Sequence, residues 1–318
     1  DSVVGLDNRH GIFPIHRSVR FVLLTCTTGQ ATDAVRCRFG IRHPEELDDP
    51  AASDRRAVFT LTRAFISRLS GGDDLAIPEI QAHADMRILE QTSARFPALG
   101  SPDGWNAAFG RELNATDDRG LFVPFVEDGR GRPVLEGKQI EPFRTSLEGC
   151  RYQLAANARV KVPRRPRLAY RDIASATNRL TLIAAIVPAD AVTTHTLFCL
   201  KTLLPLDAQH VLCALLNSFV ANYLVRFRVN THVTVSLVSR LPVPALDPDS
   251  RAFQRLSFLA RTLMHSPTAA EQQPEYAELQ ATVARLYGLA ENDFAHILST
   301  FPLMPDQVKA RCLSQLTP

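Results

Sequence analysis

The sequence predicts an α+β fold: a mixed-sheet region in the middle of the chain, followed by helices. Three observations predict it. Between residues 121 and 204, short apolar runs are punctuated by Gly129, Gly131, Pro163 and Pro166, which marks strands joined by polar loops. From Val211 onward, Val211, Leu215, Phe219, Tyr223 and Phe227 recur every fourth position beside Leu212, Leu216, Val220 and Leu224, a helical stripe. After Pro248 the pattern is helical.

Taken in order, residues 12–25 predict two short strands around a turn at His16–Ser18, and residues 35–41 a third strand before the turn at His43-Pro44. Residues 53–69 read as a helix, with Ser53 as N-cap, Val58, Leu61, Phe65 and Leu69 inward, and Gly71-Gly72 as the stop. A second helix is expected over residues 78–95, with Pro78 in its first turn. Residues 97–104 are a loop, and residues 105–113 a short helix carrying the only Trp. Strands are expected over residues 121–127, 134–140, 167–173, 180–187 and 197–204.

Residues 215–244 support two readings. Alternation from Val225 to Leu237 suggests a strand, whereas the stripe from Val211 suggests a helix. The stripe runs for more than four turns, so the expectation is a helix capped by Asp207 and ending near Arg228. Asn230-Thr231-His232 is the expected break, and residues 233–241 a strand stopped by Pro242 and Pro244. Helices follow over residues 250–265, 275–287 (closed by Gly288), 292–301 and 305–316. The organisation read from these shifts is 1–104, a sheet-rich 105–247, and a helical 248–318, with no internal repeat.

The chain has 318 residues, 45% of them hydrophobic, enough for a sizeable core. No apolar run approaches the ~20 residues of a membrane span, so no membrane partner is expected. The first residues, DSVVGLDNRH, lack both a signal-peptide pattern and a starting Met, so a fragment of a longer chain is expected. None of the six cysteines forms a CxxC pair, and Cys199 and Cys213 sit among apolar neighbours. That usage fits a reducing cytoplasm, and no Cys/His cluster is tight enough for zinc.

Charge is unevenly distributed. Residues 151–240 hold twelve Lys/Arg against three Asp/Glu, a net +9, while the whole chain carries +3, leaving −6 elsewhere. A segregated basic block points to a polyanion, or else to a solvated face balanced by acids from other parts of the fold. Phosphate loops of the GxGxxG and GxxxxGK[ST] types, HExxH, GxSxG and any Pro-Pro pair are absent from the sequence. Glu136-Gly137-Lys138, with Asp117 and Asp118 upstream, has the residue types of a Mg²⁺-dependent nuclease. Gly137 suggests instead a polar turn between strands.

GIFPIHRSVRFVLLT (11–25), LEGKQIEPF (135–143), AYRDIASATNRLTLIAAIVP (169–188), ALLNSFVANYLVRFRVNTHVTVSLVSRLPVP (214–244) and RLYGLAENDFAHILSTFP (285–302), taken in order, resemble the C-terminal target-recognition half of adenine-specific DNA methyltransferases of type II restriction–modification systems, including type IIG enzymes and the TaqI-like specificity domains. LEGKQIEPF (residues 135–143) resembles their YEGKMIHQF-type loop, departing at Leu135 where an aromatic is usual. AYRDIASATNRLTLIAAIVP (169–188) resembles their Arg-Asp/Glu-Ile-Ala-x-x-Thr-Asn block. ALLNSFVANYLVRFRVNTHVTVSLVSRLPVP (214–244) resembles their helix, polar turn and closing strand, and RLYGLAENDFAHILSTFP (285–302) their terminal helix turn. GIFPIHRSVRFVLLT (11–25) resembles the strand pair after their methylase core.

The resemblance implies a region that reads double-stranded DNA. Residues 1–104 would be the methylase domain's tail and a helical connector, 105–247 the recognition domain and 248–318 a helical region. The methylase half, with its S-adenosylmethionine loop and Asn-Pro-Pro-Tyr, would lie on the same or a neighbouring chain, so this chain alone would bind no cofactor and would not methylate. A role in restriction–modification or phage defence is implied.

Such enzymes flip the target base, so other groups must hold the duplex in register through phosphates. Arg151, Arg159, Lys161, Arg164, Arg165 and Arg167 suit that task. Base edges call for forked donors and amides, for which Lys138, Gln139, Arg171, Asn178, Arg179, Asn230 and His232 are candidates, with Arg228 at the helix exit. Each also has a structural reading: Arg171 or Asp172 in an ion pair, Asn178 capping a turn, and Asn230 and His232 satisfying backbone. Phe219, Tyr223 and Phe227 read as core. The expectation is one cationic cradle for a duplex. Its rivals are the nuclease using Asp117, Glu136 and Lys138, and a protein-interaction module docking an inactive methylase remnant.

Overall fold

Alternating apolar residues build the first sheet. In the computed structural model, which describes residues 1–48, 58–70, 76–127, 131–161, 163–229 and 231–316, the chain is α+β and divides into two units, Asp1–Arg95 and Phe96–Pro318. The first unit holds strands β1 (Ser2–Asp7), β2 (Arg20–Thr25), β3 (Ala34–Ile41) and β4 (Phe59–Thr62), in the order β2-β1-β3-β4. The β1–β3 pair is parallel and the other two are antiparallel. Val35, Cys37, Phe39 and Ile41 of β3 are buried, as their spacing predicts. The edge strand β2 leaves Val22, Leu23 and Leu24 exposed.

Residues 12–25 contain one strand, not two. Asn8, fully buried, holds the stretch before β2 as a loop. Its Nδ2 donates to the carbonyls of Phe13, Ile15 and His16, and its Oδ1 accepts from Phe13 N at 2.8 Å. The partner of β2 is the unforeseen β1.

The helix expected from Ser53 is replaced, in its described part, by β4 followed by α1 (Arg63–Ser70). Leu61, Phe65 and Leu69 are buried, whereas Val58 is exposed. Ser53, Gly71 and Gly72 lie outside the described residues. The second helix, α2 (His83–Arg95), starts five residues later than Pro78 suggests, because Asp85 accepts the amides of Gln81 and Ala82 at 3.3 and 3.0 Å.

The second unit contains strands β5 (Phe109–Gly110), β6 (Phe122–Pro124), β7 (Pro133–Leu135), β8 (Ile140–Glu141), β9 (Arg144–Thr145), β10 (Tyr152–Leu154), β11 (Arg167–Arg171), β12 (Ala184–Val187), β13 (Val192–Thr193) and β14 (Leu197–Leu200). One sheet has the order β13-β7-β10-β6, with β13 and β7 parallel. The other, β12-β11-β14-β5, is antiparallel, and β8-β9 is a separate hairpin. Ala169, Ala185, Val187, Leu197 and Cys199, alternate residues of the second sheet, pack with Leu135 and Ile140 into one core cluster. The observed strands are shorter than expected, and residues 105–113 form a turn and β5 rather than a helix. Trp105 Nε1 donates to the Pro244 carbonyl at 2.8 Å, which ties that turn across the unit.

The long stripe becomes two helices, α3 (Leu206–Leu216) and α4 (Phe219–Arg226), bent by 59°. The N-cap of α3 is Pro205, and Asp207 lies in its first turn. Asn217 and Ser218 make the break. Asn217 Oδ1 accepts from Ala184 N at 3.0 Å on the outer edge of β12, beside the bridge that Phe143 makes there, and Ser218 Oγ caps α4 by accepting from Ala221 N at 3.0 Å. Asn222, Gln209 and Gln280 are buried as well, each bonding backbone through both ends of its amide. Phe219 and Tyr223 are buried, as expected, while Phe227 is half-buried.

Residues 233–241 form helix α5 (Val235–Ser239), not a strand, capped by the Thr234 hydroxyl on Leu237 N at 3.3 Å. The four C-terminal helices stand as the periodicity predicts: α6 (Arg251–Met264), α7 (Pro274–Leu286), α8 (Glu291–Ser299) and α9 (Asp306–Ser314). Ser250 caps α6, and Gly288 closes α7 at φ +69°. No single helix is long and apolar enough to cross a membrane, and the bent α3–α4 pair is buried core.

All six cysteines are free thiols. Burial pushes Cys37 and Cys199 up to about 11 and Cys312 to about 12, and raises Cys213 further. A thiol reagent at pH 8 should therefore label one site promptly, the exposed Cys26. Prompt labelling of Cys199 or Cys213 in the native protein would contradict their placement in the core.

Candidate nucleic-acid interface

Strand β11 begins and ends at a charged concavity. Arg167 lines the first and Arg171 the second. At about 3.3 Å per residue the five-residue strand sets them roughly 13 Å apart. The basic block thus forms two clusters rather than one cradle.

The first concavity is an open groove of about 880 Å³. Arg132, Lys161, Arg164, Arg165 and Lys201 line it, all exposed, against a single acid, Asp190. Among the described residues none of these five cations has an ion-pair partner. Pro163 and Pro166 bracket Arg164-Arg165. Pro166 keeps Arg165 out of the helical region, the chain bends at Arg165, and the Pro163 carbonyl accepts Asp190 N at 2.9 Å, which ties this segment to the loop before β13. Arg159 is exposed too but does not line the groove.

Arg167, on the groove wall, is a structural residue and not a free cation. Its Nε and Nη2 clamp Glu112 at 2.5 and 2.6 Å, and Nη1 and Nη2 donate to the carbonyls of Pro188 and Ala191. Both partners are about nine-tenths buried. Burial works to raise the Glu112 carboxyl. The bonds and charge of Arg167, with two bonds from Thr193, outweigh it and hold the group below its ordinary range.

The second concavity, about 400 Å³, holds three cations, Lys138, Arg151 and Arg171, and one acid, Glu136, which pairs with two of them. Glu136 accepts from Arg151 Nε and Nη2 at 2.9 and 2.5 Å, and Lys138 Nζ lies 3.9 Å from it. Gly137 begins a short 3-10 turn, the polar turn its sequence suggests, and its amide donates to Thr196 Oγ1 at 2.9 Å. Arg171 donates to the Ile140 carbonyl, and burial lowers its pKa. Asp172, 3% exposed, does not pair with its neighbour Arg171. It takes Arg111 Nη2 at 3.2 Å and His232 Nδ1 at 3.1 Å.

The other expected contacts scatter. Gln139 is 1% exposed, with its amide spent on Glu136 N and the Glu148 carbonyl, so it offers nothing to a ligand. Arg179 is paired with Glu271. Asn178 is exposed in a turn closed on Ser175, and Arg228 is half-buried. Asn230 lies outside the described residues. Arg132 and Lys201 complete the groove without having been foreseen as contacts. Arg132 precedes the basic block, and Lys201 reads locally as a strand residue; only the fold brings them to Arg164.

The nuclease constellation is not assembled. Among the described residues no three His, Cys, Asp or Glu side chains converge as metal ligands. Glu136 gives both oxygens to Arg151, and Asp117 accepts from Asn114 Nδ2 at 2.6 Å.

No family model and no curated protein matches the chain. Among solved structures, the type IIL restriction-modification enzyme MmeI in complex with DNA is similar over 88% of this chain, at 12% identity and a TM-score of 0.43. The match takes in 42% of that enzyme's chain, so this protein spans less than half of its length.

Proposed function

We propose that the unit Phe96–Pro318 is a double-stranded DNA recognition module that directs N6-adenine methylation by a catalytic half outside this chain. The observation that carries the proposal is the groove of five exposed cations with no acid partner among the described residues. Like charges gathered in one concavity repel one another, and a phosphate backbone offsets that repulsion. The order of sequence stretches resembling TaqI-like specificity domains supports the same reading. Lys161, Arg164, Arg165, Arg132 and Lys201 take phosphates. Lys138, Arg171 and His232, at the far end of β11, are the donors left for base edges. The catalytic half supplies the S-adenosylmethionine site and the flipped-base pocket, in a cytoplasmic restriction–modification or phage-defence setting.

Salt titration of binding to a random-sequence 20-bp duplex tests this. With five phosphate contacts, log K should fall against log salt with a slope of about −4 to −5. The double variant R164E/R165E should flatten the slope by about 2 and weaken binding at low salt by more than tenfold. Salt-independent binding, or a double variant that binds like the wild type, would overturn the proposal and favour a protein-docking role.

A further inference from the structure

We propose that Leu203 is a wedge that enters a base step of duplex DNA held in the cationic groove. The inference rests on the DNA-binding reading and goes beyond it: the module deforms its duplex. A lone exposed leucine is ordinary on a protein surface. Leu203 differs in three respects. At 87% it is the most exposed large hydrophobic residue among those described. It lines the same groove as Lys161, Arg164, Arg165 and Lys201, so any duplex those residues hold is brought against it. And it is presented at the tip of a turn that is tied down on both sides.

Before the tip, Lys201 N donates to the Ala108 carbonyl at 2.7 Å. The Thr202 hydroxyl donates to the Asn106 carbonyl at 2.7 Å and accepts Ala108 N at 2.9 Å. After the tip, Leu204 N closes on the Thr202 carbonyl at 3.1 Å. The Leu204 carbonyl accepts from the buried Gln209, whose other end accepts Leu168 N of β11. Pro205 then starts α3. A backbone fixed in this way need not rearrange when its side chain inserts, and the pre-set turn favours a wedge over an adaptable contact.

An apolar side chain between two base pairs unstacks them and kinks the helix. The cost falls where a step is already loosened, as at a mismatch or a pyrimidine–purine step. The full chain should therefore bind a 20-bp duplex with one central C·C mismatch about tenfold more tightly than the paired duplex. A 2-aminopurine beside a central TA step should brighten on binding. Leu203→Ala should lose both the preference and the brightening while keeping the salt slope, and Leu203→Met should restore them. Because the side chain is exposed, L203A should leave the unfolding midpoint unchanged.

A wild type that binds with the expected salt slope but prefers neither duplex, or an L203A variant that keeps the preference, overturns the wedge alone. Failure of the wild type to bind either duplex overturns the wedge together with the DNA-binding reading.

Discussion

Glu112→Gln is expected to destabilise the protein by about 3–5 kcal/mol at pH 7, read from denaturant unfolding. Among the described residues the carboxylate is the only acid paired with the buried Arg167 guanidinium, and it also accepts the amide and hydroxyl of Thr193, the last residue of β13. A glutamine returns one acceptor and turns its NH₂ toward a cation that has lost its counter-charge. Replacing both partners, Glu112→Leu with Arg167→Met, should cost far less, because no charge is then stranded.

The pH dependence has a definite sign. The folded pKa of Glu112 is depressed, so its contribution is fully present above the unfolded carboxylate value, roughly 4.3, and is lost as pH falls through the folded value. The gap between wild type and E112Q should be full at pH 7 and shrink on acidification below about pH 4. A gap that stays constant down to the acid limit would show that ionisation of Glu112 contributes nothing, and no gap at pH 7 that the pair itself contributes nothing. Arg164 and Arg165 precede Arg167 by three and two positions, so E112Q should also loosen the groove rim and weaken DNA binding more than a distant variant of equal stability.

Asn222→Ala should cost about 3 kcal/mol or more. Asn222 is fully buried and its Oδ1 accepts the amides of both Thr181 and Leu182 at 2.8 Å. Its Nδ2 donates to the Leu182 carbonyl at 3.1 Å and reaches back to Leu216 and Ser218 across the helix break. Alanine leaves two buried N–H groups and a carbonyl without these partners, at about 1–3 kcal/mol each, and opens a cavity. Amide exchange locates the effect: the Thr181 and Leu182 amides should exchange at least a hundredfold faster relative to the amides of α7, a ratio of about 2.7 kcal/mol. Unchanged protection at those two positions would mean that other groups hold the segment.

These two sites show what local pattern reveals. The C-terminal helices were legible because an amphipathic helix announces itself within a few turns, through apolar spacing, a Ser250 cap and a Gly288 stop. The stripe from Val211 to Phe227 correctly marked helix and core. It carried no sign of the bend, because the apolar periodicity passes unbroken through Asn217-Ser218. What bends the chain there is the edge of β12, some thirty residues away in sequence, whose backbone needs the Asn217 amide. The strand expected after Asn230 failed for a related reason. Short apolar runs alternate and spiral equally well, and the Thr234 cap decides for α5.

The binding site divides in the same way. By itself the sequence determined the α+β class, the helical C-terminal region and the concentration of positive charge in the middle third, since composition and spacing are properties of neighbours along the chain. Which cations are free to meet a ligand was decided by tertiary structure. Glu112, Glu136 and Glu271 arrive from 55, 15 and 92 residues away to neutralise Arg167, Arg151 and Arg179, while Arg132 and Lys201 are delivered to Arg164 and Arg165. Electrostatic pairing acts through a few ångströms of space and is indifferent to distance along the chain, so only the folded molecule separates a paired, structural arginine from an unpaired one.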